Sequence, residues 1–503
     1  MKKIFAVFIL LAFVGICDTL AQKHNHNWCG TSYADEEIGL ERLVRNRANL
    51  ANLTLKRMPI MWTPLKIHIV NKTDGTGGVS PIRVYEMLCV LNEEYLDQDI
   101  QFFVLGDFNY INSSNAYTNP GGASGTLLSN RVSNGINVFL TKEIGNGSNT
   151  LGYYDPSRDW LVVREDQVSA EEAATIVHEV GHFFTLAHPF RGWGQSGYDM
   201  AMYGNPAPDE DSNGNPTELV NGSNCTEAGD KICDTPANYG VGFGWSGCDY
   251  TGGLMDPNGV LLDPDETNHM DYFIGCSTDF SDEQKMAIAA DLASRPNLHT
   301  SEDFDMTPLT DVEMVSPIDS ENLPGFATVT FDWTAVPGAT SYVIEIDRFV
   351  SFIFEPSIFT TSDNFIEVSG IFDPNKNYYW RVKAIKDGYF CSATADDSST
   401  GKFRTGDGSV AVNEISEVAS YTIAPNPLST NQVLNINLES TGNFDANINL
   451  YSLSGQKIIT DNRTFGLGNT NYEMSVEGLA EGMYILSIET ESGVLNEKIV
   501  VTK

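Results

Sequence analysis

Residues 178–188 read HEVGHFFTLAH. Histidines four apart share one face of a helix, so His178 and His182 can offer imidazole nitrogens to a single ion while Glu179, one step round, leans over the same place. Two nitrogen ligands beside a carboxylate suit a zinc hydrolase, in which the metal lowers the pKa of a bound water and the carboxylate takes its proton. Such a site usually has a third protein ligand, and His188 is placed to supply it. On a continued helix, residue 188 would stand about one and two-thirds turns beyond 182, out of reach of the ion. The helix must therefore end soon after His182 and the chain must swing back. A thermolysin-like arrangement, with a downstream glutamate as third ligand, is the rival.

The run SAEEAATIVHEVGHFF predicts the helix that carries these residues, with Ser169 as cap and acids in the first turn. Ahead of it, PLKIHIV (64–70), IQFFVL, INVFL (136–140) and LVV (161–163) read as strands and Pro81 to Tyr95 as a helix. SDEQKMAIAADLAS (281–294) predicts a closing helix. Between about 190 and 265 the chain is rich in Gly, Asn, Asp and Pro, a loop region that needs cross-links or ions to hold its shape. The fold class expected for 61–303 is mixed α/β (α+β), a twisted sheet with an active-site helix.

Seven cysteines lie beyond residue 21: Cys29, Cys89, Cys225, Cys233, Cys248, Cys276 and Cys391. An odd number leaves at least one outside an intrachain pair. Four of them fall in or beside the loop region, where three connectivities are open, and Cys225–Cys233 with Cys248–Cys276 is the preferred one. Oxidised cysteines fit export, and so does the N-terminus: two lysines, an apolar run and small residues up to Ala21 read as a signal peptide over 1–21. The polar stretch 22–60 reads as a propeptide to be cut. No later segment reaches the roughly twenty apolar residues that span a bilayer. With 30 Lys plus Arg against 67 Asp plus Glu, the formal charge of -37 repels phosphate backbones and argues against nucleic-acid partners.

Beyond residue 303 the hydrophobic period becomes two. ATVTFDW, SYVIEID and YWRVKAI alternate, predicting a β-sandwich over 312–406 that resembles a fibronectin type III module, with Trp333 and Tyr342 in its core. A polar linker (407–420) leads to a second all-β sandwich, 421–503. There PNP, LYSLSGQ and GMYIL occur in an order that resembles the C-terminal sorting domain of the type IX secretion system. That resemblance implies the secretion machinery as a partner and a secreted or cell-surface location, reached through the periplasm and outer membrane.

HEVGHFFTLAH also resembles the HExxHxxGxxH motif of metzincin peptidases, and NHMDY (268–272) resembles their Met-turn. Together with NCTEAGDKICDTPAN (224–238) these motifs resemble the pappalysin (cytophagalysin, M43) family over residues 30 to 300. The resemblance implies a zinc metalloendopeptidase acting on proteins or peptides. Its zinc ligands would be His178, His182 and His188, Glu179 would polarise the attacking water, and Met270 would form the floor of the site. Tyr272 would stabilise the tetrahedral intermediate. Asp230, Asp234 and Thr235 would be calcium ligands. NWCGT (27–31) is similar to a propeptide motif in which the cysteine, here Cys29, ligates the zinc and keeps a zymogen latent. Gly152 and Tyr153 lie where relatives have the edge strand that receives substrate. Thr185 departs from the family, which has glycine there because the chain turns through positive φ. The alternative function is a surface adhesin carrying an inactive peptidase-like domain.

Overall fold

The computed structural model describes residues 29–50, 60–145, 147–194, 197–273, 275–300, 302–352, 356–395, 401–407, 415–429, 433–452 and 456–502. The expected signal peptide, residues 22–28 and 51–59 of the expected propeptide and residues 408–414 of the expected linker lie outside the described residues. In chain order the first part contains α1 (Tyr33–Leu50), β1 (Met61–Asn71), α2 (Pro81–Glu94), β2 (Ile100–Val104), β3 (Asn109–Asn112), α3 (Ser114–Thr118), α4 (Ser124–Asn130), β4 (Ile136–Thr141), β5 (Gly152–Asp155), β6 (Trp160–Arg164), α5 (Ala174–Phe183), α6 (Met200–Tyr203) and α7 (Asp282–Ala293).

The strands form one sheet in the order β2-β1-β4-β6-β5, with β3 also pairing β1. All its ladders are parallel except β5 on β6, which is antiparallel and leaves β5 at the edge. Parallel strands buried on both faces read as continuous apolar runs, and β4 and β6 do so. One face is covered by α1, α2, α5 and α7 through a core that includes Leu40, Leu88, Ile136, Val177, Met270 and Ile288. The opposite face is covered by Ile111, Tyr117 and Leu127 against Val70, Phe139 and Trp160.

Helix α5 begins at Ala174 rather than near Ser169. Ser169 Oγ accepts from the Glu172 N–H (3.3 Å), so the expected cap closes a turn ahead of the helix instead. Helix α7 has a full capping box, Ser281 with Gln284. Residues 193–276 build a separate aromatic cluster, including Trp193, Tyr239, Tyr250 and Phe273. Cys225–Cys233 and Cys248–Cys276 are the disulfides in that region.

The described chain divides into two compact units. The first joins the residues up to Val315 to Asp332–Ile366 and Trp380–Ser398. A third disulfide, Cys89–Cys391, helps to explain this, since it ties α2 to the later stretch across a sequence separation of 302. Arg381 adds an ion pair to the fully buried Glu345 (2.7 Å), whose carboxylate also accepts from Ser80 at the start of α2. In this unit Trp333 packs on Tyr342, ring centroids 5.3 Å apart.

The second unit holds Ser316–Phe331, Glu367–Tyr379 and Ser399–Lys503. Its larger part has one three-stranded and one five-stranded sheet. The burial of Val433–Ser440 alternates, as expected for strands with one face on a core, and Ile436, Ile448, Leu486 and Ile499 are fully buried there. No described helix is long and apolar enough to cross a membrane.

Candidate active site

Helix α5 puts His178, Glu179 and His182 on one buried face. After Phe183 the chain makes two bonds, Leu186 N–H to Gly181 C=O (3.0 Å) and Thr185 N–H to His182 C=O (3.0 Å). These are the paired contacts of a Schellman helix end, which requires a left-handed residue between them. Thr185 is that residue, with φ of 78°. The turn keeps the left-handed geometry, and the fold absorbs the cost of a β-branched side chain there. It returns His188 to the helix: His188 Nε2 lies 3.2 Å from His178 Nε2 and 3.3 Å from His182 Nε2.

The other ring nitrogens are all engaged. Nδ1 of His178 meets the His269 carbonyl (2.8 Å), that of His182 meets the Leu186 carbonyl (2.7 Å), and that of His188 meets the Glu36 carboxylate (2.5 Å). Each acceptor is an oxygen, so each Nδ1 carries the proton and three Nε2 lone pairs converge on one point. Lone pairs at such separations repel unless a cation lies between them. Four donors set tetrahedrally at ordinary zinc bond lengths stand about 3.3 Å apart for two nitrogens and about 3.5 Å for nitrogen and sulfur. The sulfur is present: Cys29 Sγ lies 3.4 Å from His182 Nε2. Donor chemistry, tautomers and spacing therefore fit a bound metal, and burial agrees, since it pushes His178 down to about 3 and His182 well below the usual range. Burial also raises the Cys29 thiol, with Glu179 adding to the effect. A coordinated dication opposes this, because it deprotonates a ligating thiol.

Burial raises Glu179 to about 8, against hydrogen bonds from Cys29, Thr31 and the Tyr154 backbone. Its Oε1 is buried without a hydrogen-bond partner among the described residues. A cleft of about 290 Å³ is lined by His178, Glu179, Thr175, Tyr272, Asp271 and Phe273, among others. Met270 is fully buried, and a Cβ on Gly181 would come within 2.4 Å of its sulfur, so glycine lets α5 lie directly on the methionine. The Tyr272 hydroxyl is 3.0 Å from His188 Nε2 and accepts from the Cys29 N–H (3.2 Å).

Residues 29–31 run alongside β5, with Cys29 lining the cleft. Cys29 bridges Gly152 in the parallel sense, and Gly30 N–H donates to the Gly152 carbonyl (2.8 Å). Thr31 reaches Glu179 Oε2 (3.4 Å) and accepts from the Tyr154 N–H (3.0 Å). Gly152 has a second role, because a Cβ there would lie 2.9 Å from both Glu179 Cγ and Thr175 Cγ2. Tyr153 lies beside Gly30, its Cβ 3.1 Å from where a Gly30 Cβ would stand.

Asp230 and Thr235 come together, Thr235 Oγ1 donating to both carboxylate oxygens (3.1 Å each). Asp234 serves elsewhere: it accepts from Ser281 Oγ (2.6 Å) and the Glu283 N–H (2.8 Å) at the start of α7. Beside Asp230 sits a residue that sequence reasoning missed, the buried Glu218. Burial and mutual repulsion push Glu218 up to about 10, and burial pushes Asp230 up to about 7. Glu36 and Gly181 were missed as well. Gly181 lies inside the quoted motif, but nothing local marks Glu36.

Two families match the chain. Residues 159–293 match the family described as Pregnancy-associated plasma protein-A, and residues 422–502 match the Secretion system C-terminal sorting domain. Residues 159–293 thus match a pappalysin-type peptidase domain. Proteins similar to it include an extracellular metalloprotease of Pyricularia oryzae, 26% identical over 263 residues, covering 48% of this chain and 80% of that protein. Another, from Sordaria macrospora, is 28% identical over 243 residues, covering 44% and 72%. The likeness to solved structures is slight: chicken CNTN1 FN1-FN3 domains align at a TM-score of 0.19 and 12% identity over 39% of this chain and 66% of that one, too little to bear on the fold.

Proposed function

We propose that the chain is a secreted zinc-dependent endopeptidase, made latent by its own N-terminal segment. The observation that carries this reading is the convergence of three Nε2 lone pairs, each fixed by a bond at Nδ1, beside the buried Glu179. His178, His182 and His188 would hold the zinc. When bound, the metal supplies Lewis acidity that polarises a carbonyl and lowers the pKa of water.

The chain's own groups do the rest. Glu179 takes a proton from the attacking water and returns it to the leaving amine, a role that its buried Oε1 and its proximity to the ligands support. Tyr272 offers its hydroxyl to the developing oxyanion. Met270 supports α5 from below the ligands. An extended substrate pairs with β5 at Gly152 and Tyr153 once residues 29–31 have left. Cys29, seated among the three histidines, fills the place a water needs, which is the basis of latency. Calcium is assigned to Asp230, Thr235 and Glu218, whose buried carboxylates call for a cation.

We read the catalytic part as a metzincin-type domain, 312–406 and 421–503 as β-sandwich modules, 1–21 as a signal peptide and 22–60 as a propeptide. The last module engages the type IX secretion machinery, which delivers the protein outside the cell or to its surface. A Glu179→Ala variant tests the mechanism. It is expected to retain one zinc per chain and lose cleavage of a peptide library by roughly a hundredfold or more. Undiminished cleavage would refute it.

A further inference from the structure

Resting on the metallopeptidase reading, we infer that Glu36 is a positioning residue for the third ligand, so that the N-terminal segment supports the metal through a carboxylate as well as through Cys29. His178 and His182 each set their Nδ1 against a backbone carbonyl of the peptidase domain itself. His188 differs. Its Nδ1 and its backbone N–H both donate to Glu36 Oε1, at 2.5 and 3.0 Å, from a residue 152 positions upstream. A carboxylate at Nδ1 fixes the ring and its tautomer and raises the basicity of Nε2 more than a neutral carbonyl does.

The segment is built to hold that carboxylate in place. Glu36 stands in the first turn of α1 with its side chain 4% exposed, and its second oxygen lies 3.7 Å from Arg191 Nε. Arg191 in turn pairs with Glu37 and stacks over the Tyr33 ring at 4.0 Å. Further along α1, Leu40 and Leu43 enter the main core. Arg42 grips Asp291 (2.6 Å) and the Phe183 carbonyl (2.9 Å), the latter at the end of the active-site helix. Asn46 adds a bond to Asp291 (3.0 Å). Gly39 faces the Thr185 backbone at 3.6 Å from its virtual Cβ. Helix α1 thus clamps both the left-handed turn and the ligand beyond it. A mature form that lost α1 would keep the histidine but lose its orienting carboxylate, and would hold zinc less tightly than the latent form even after the thiolate is discounted.

The test removes the thiolate first. In the full chain with Cys29→Ala, the zinc dissociation constant is measured by competition with a chromophoric chelator, and the Co(II) visible spectrum is recorded. Adding Glu36→Ala is expected to weaken zinc roughly 10- to 100-fold and to shift the cobalt bands, since losing such a partner typically costs that much. Glu36→Gln, which keeps an acceptor oxygen without the charge, should fall between and serves as the reading if the alanine variant does not fold. Melting of the metal-free proteins separates a stability defect from a metal-binding one. Zinc affinity within about twofold of the Cys29→Ala parent, with an unchanged cobalt spectrum, overturns the role of Glu36 alone. A parent that binds zinc no better than its His178→Ala derivative overturns the metal-site reading itself.

Discussion

Replacing Thr185 probes the turn that brings His188 back to His178 and His182. Thr185 is 1% exposed, has φ of 78°, and its hydroxyl is buried without a hydrogen-bond partner among the described residues. Relieving left-handed strain in an L-residue is worth about 1–2 kcal/mol, and removing an unsatisfied buried hydroxyl about 1 kcal/mol or more. Against this, Thr185→Gly loses a buried methyl, about 1 kcal/mol, and costs about 0.5–1 kcal/mol in unfolded-chain entropy. The balance is a stabilisation of about 1 kcal/mol. For a unit of this size that raises the melting midpoint by roughly 1–2 °C. Thr185→Val keeps the shape and the strain but removes the hydroxyl, and should also gain about 1 kcal/mol. The assay is calorimetric melting at saturating zinc, with zinc affinity measured in parallel and expected to be unchanged. A glycine variant that melts below the wild type would refute the strain assignment, because the methyl packing would then outweigh the backbone.

The remaining expectations concern latency, calcium and the long-range disulfide. Cys29→Ala full-length protein should show a shorter lag than the wild type in cleaving a fluorogenic peptide, since residues 30 and 31 still lie on β5 but no thiolate competes for the metal; equal lags would exclude thiolate latency. Asp230 and Glu218 are raised above their unfolded values, so the unfolded chain releases their protons first, and metal-free stability falls as pH rises from about 4 through the Asp230 value of about 7. Calcium binds the ionised pair, so its stabilising increment in melting should be larger at about pH 8 than at about pH 5 and vanish in Asp230→Asn. Replacing Cys89 and Cys391 by alanine opens a loop with a sequence separation of 302. It should cost about 2–5 kcal/mol in chemical denaturation.

What could be read directly were features carried by local periodicity. The helix bearing His178, Glu179 and His182 follows from spacing at about 3.6 residues per turn, and α7 lies within the helix expected over 281–294. The start of α5 was misread because Ser169, a good cap by type, closes a separate turn ahead of Ala174. The family motif pointed to the positive φ at 185, although the side chain there argued against it. Nothing local told that the Asp234 carboxylate bonds to the start of α7 while Thr235 bonds to Asp230.

By itself the sequence placed His178, Glu179 and His182 on one helix and marked the alternating strands beyond residue 312, because each depends on neighbours a few positions away. Only the tertiary structure decided what meets those residues. Cys29 reaches His182 across 153 positions, Glu36 reaches His188 across 152, and Tyr272 reaches His188 across 84. Such contacts leave no period in the sequence. They arise when α1 and the Met270 turn pack against α5, and burial then selects which carboxylates and imidazoles stand together.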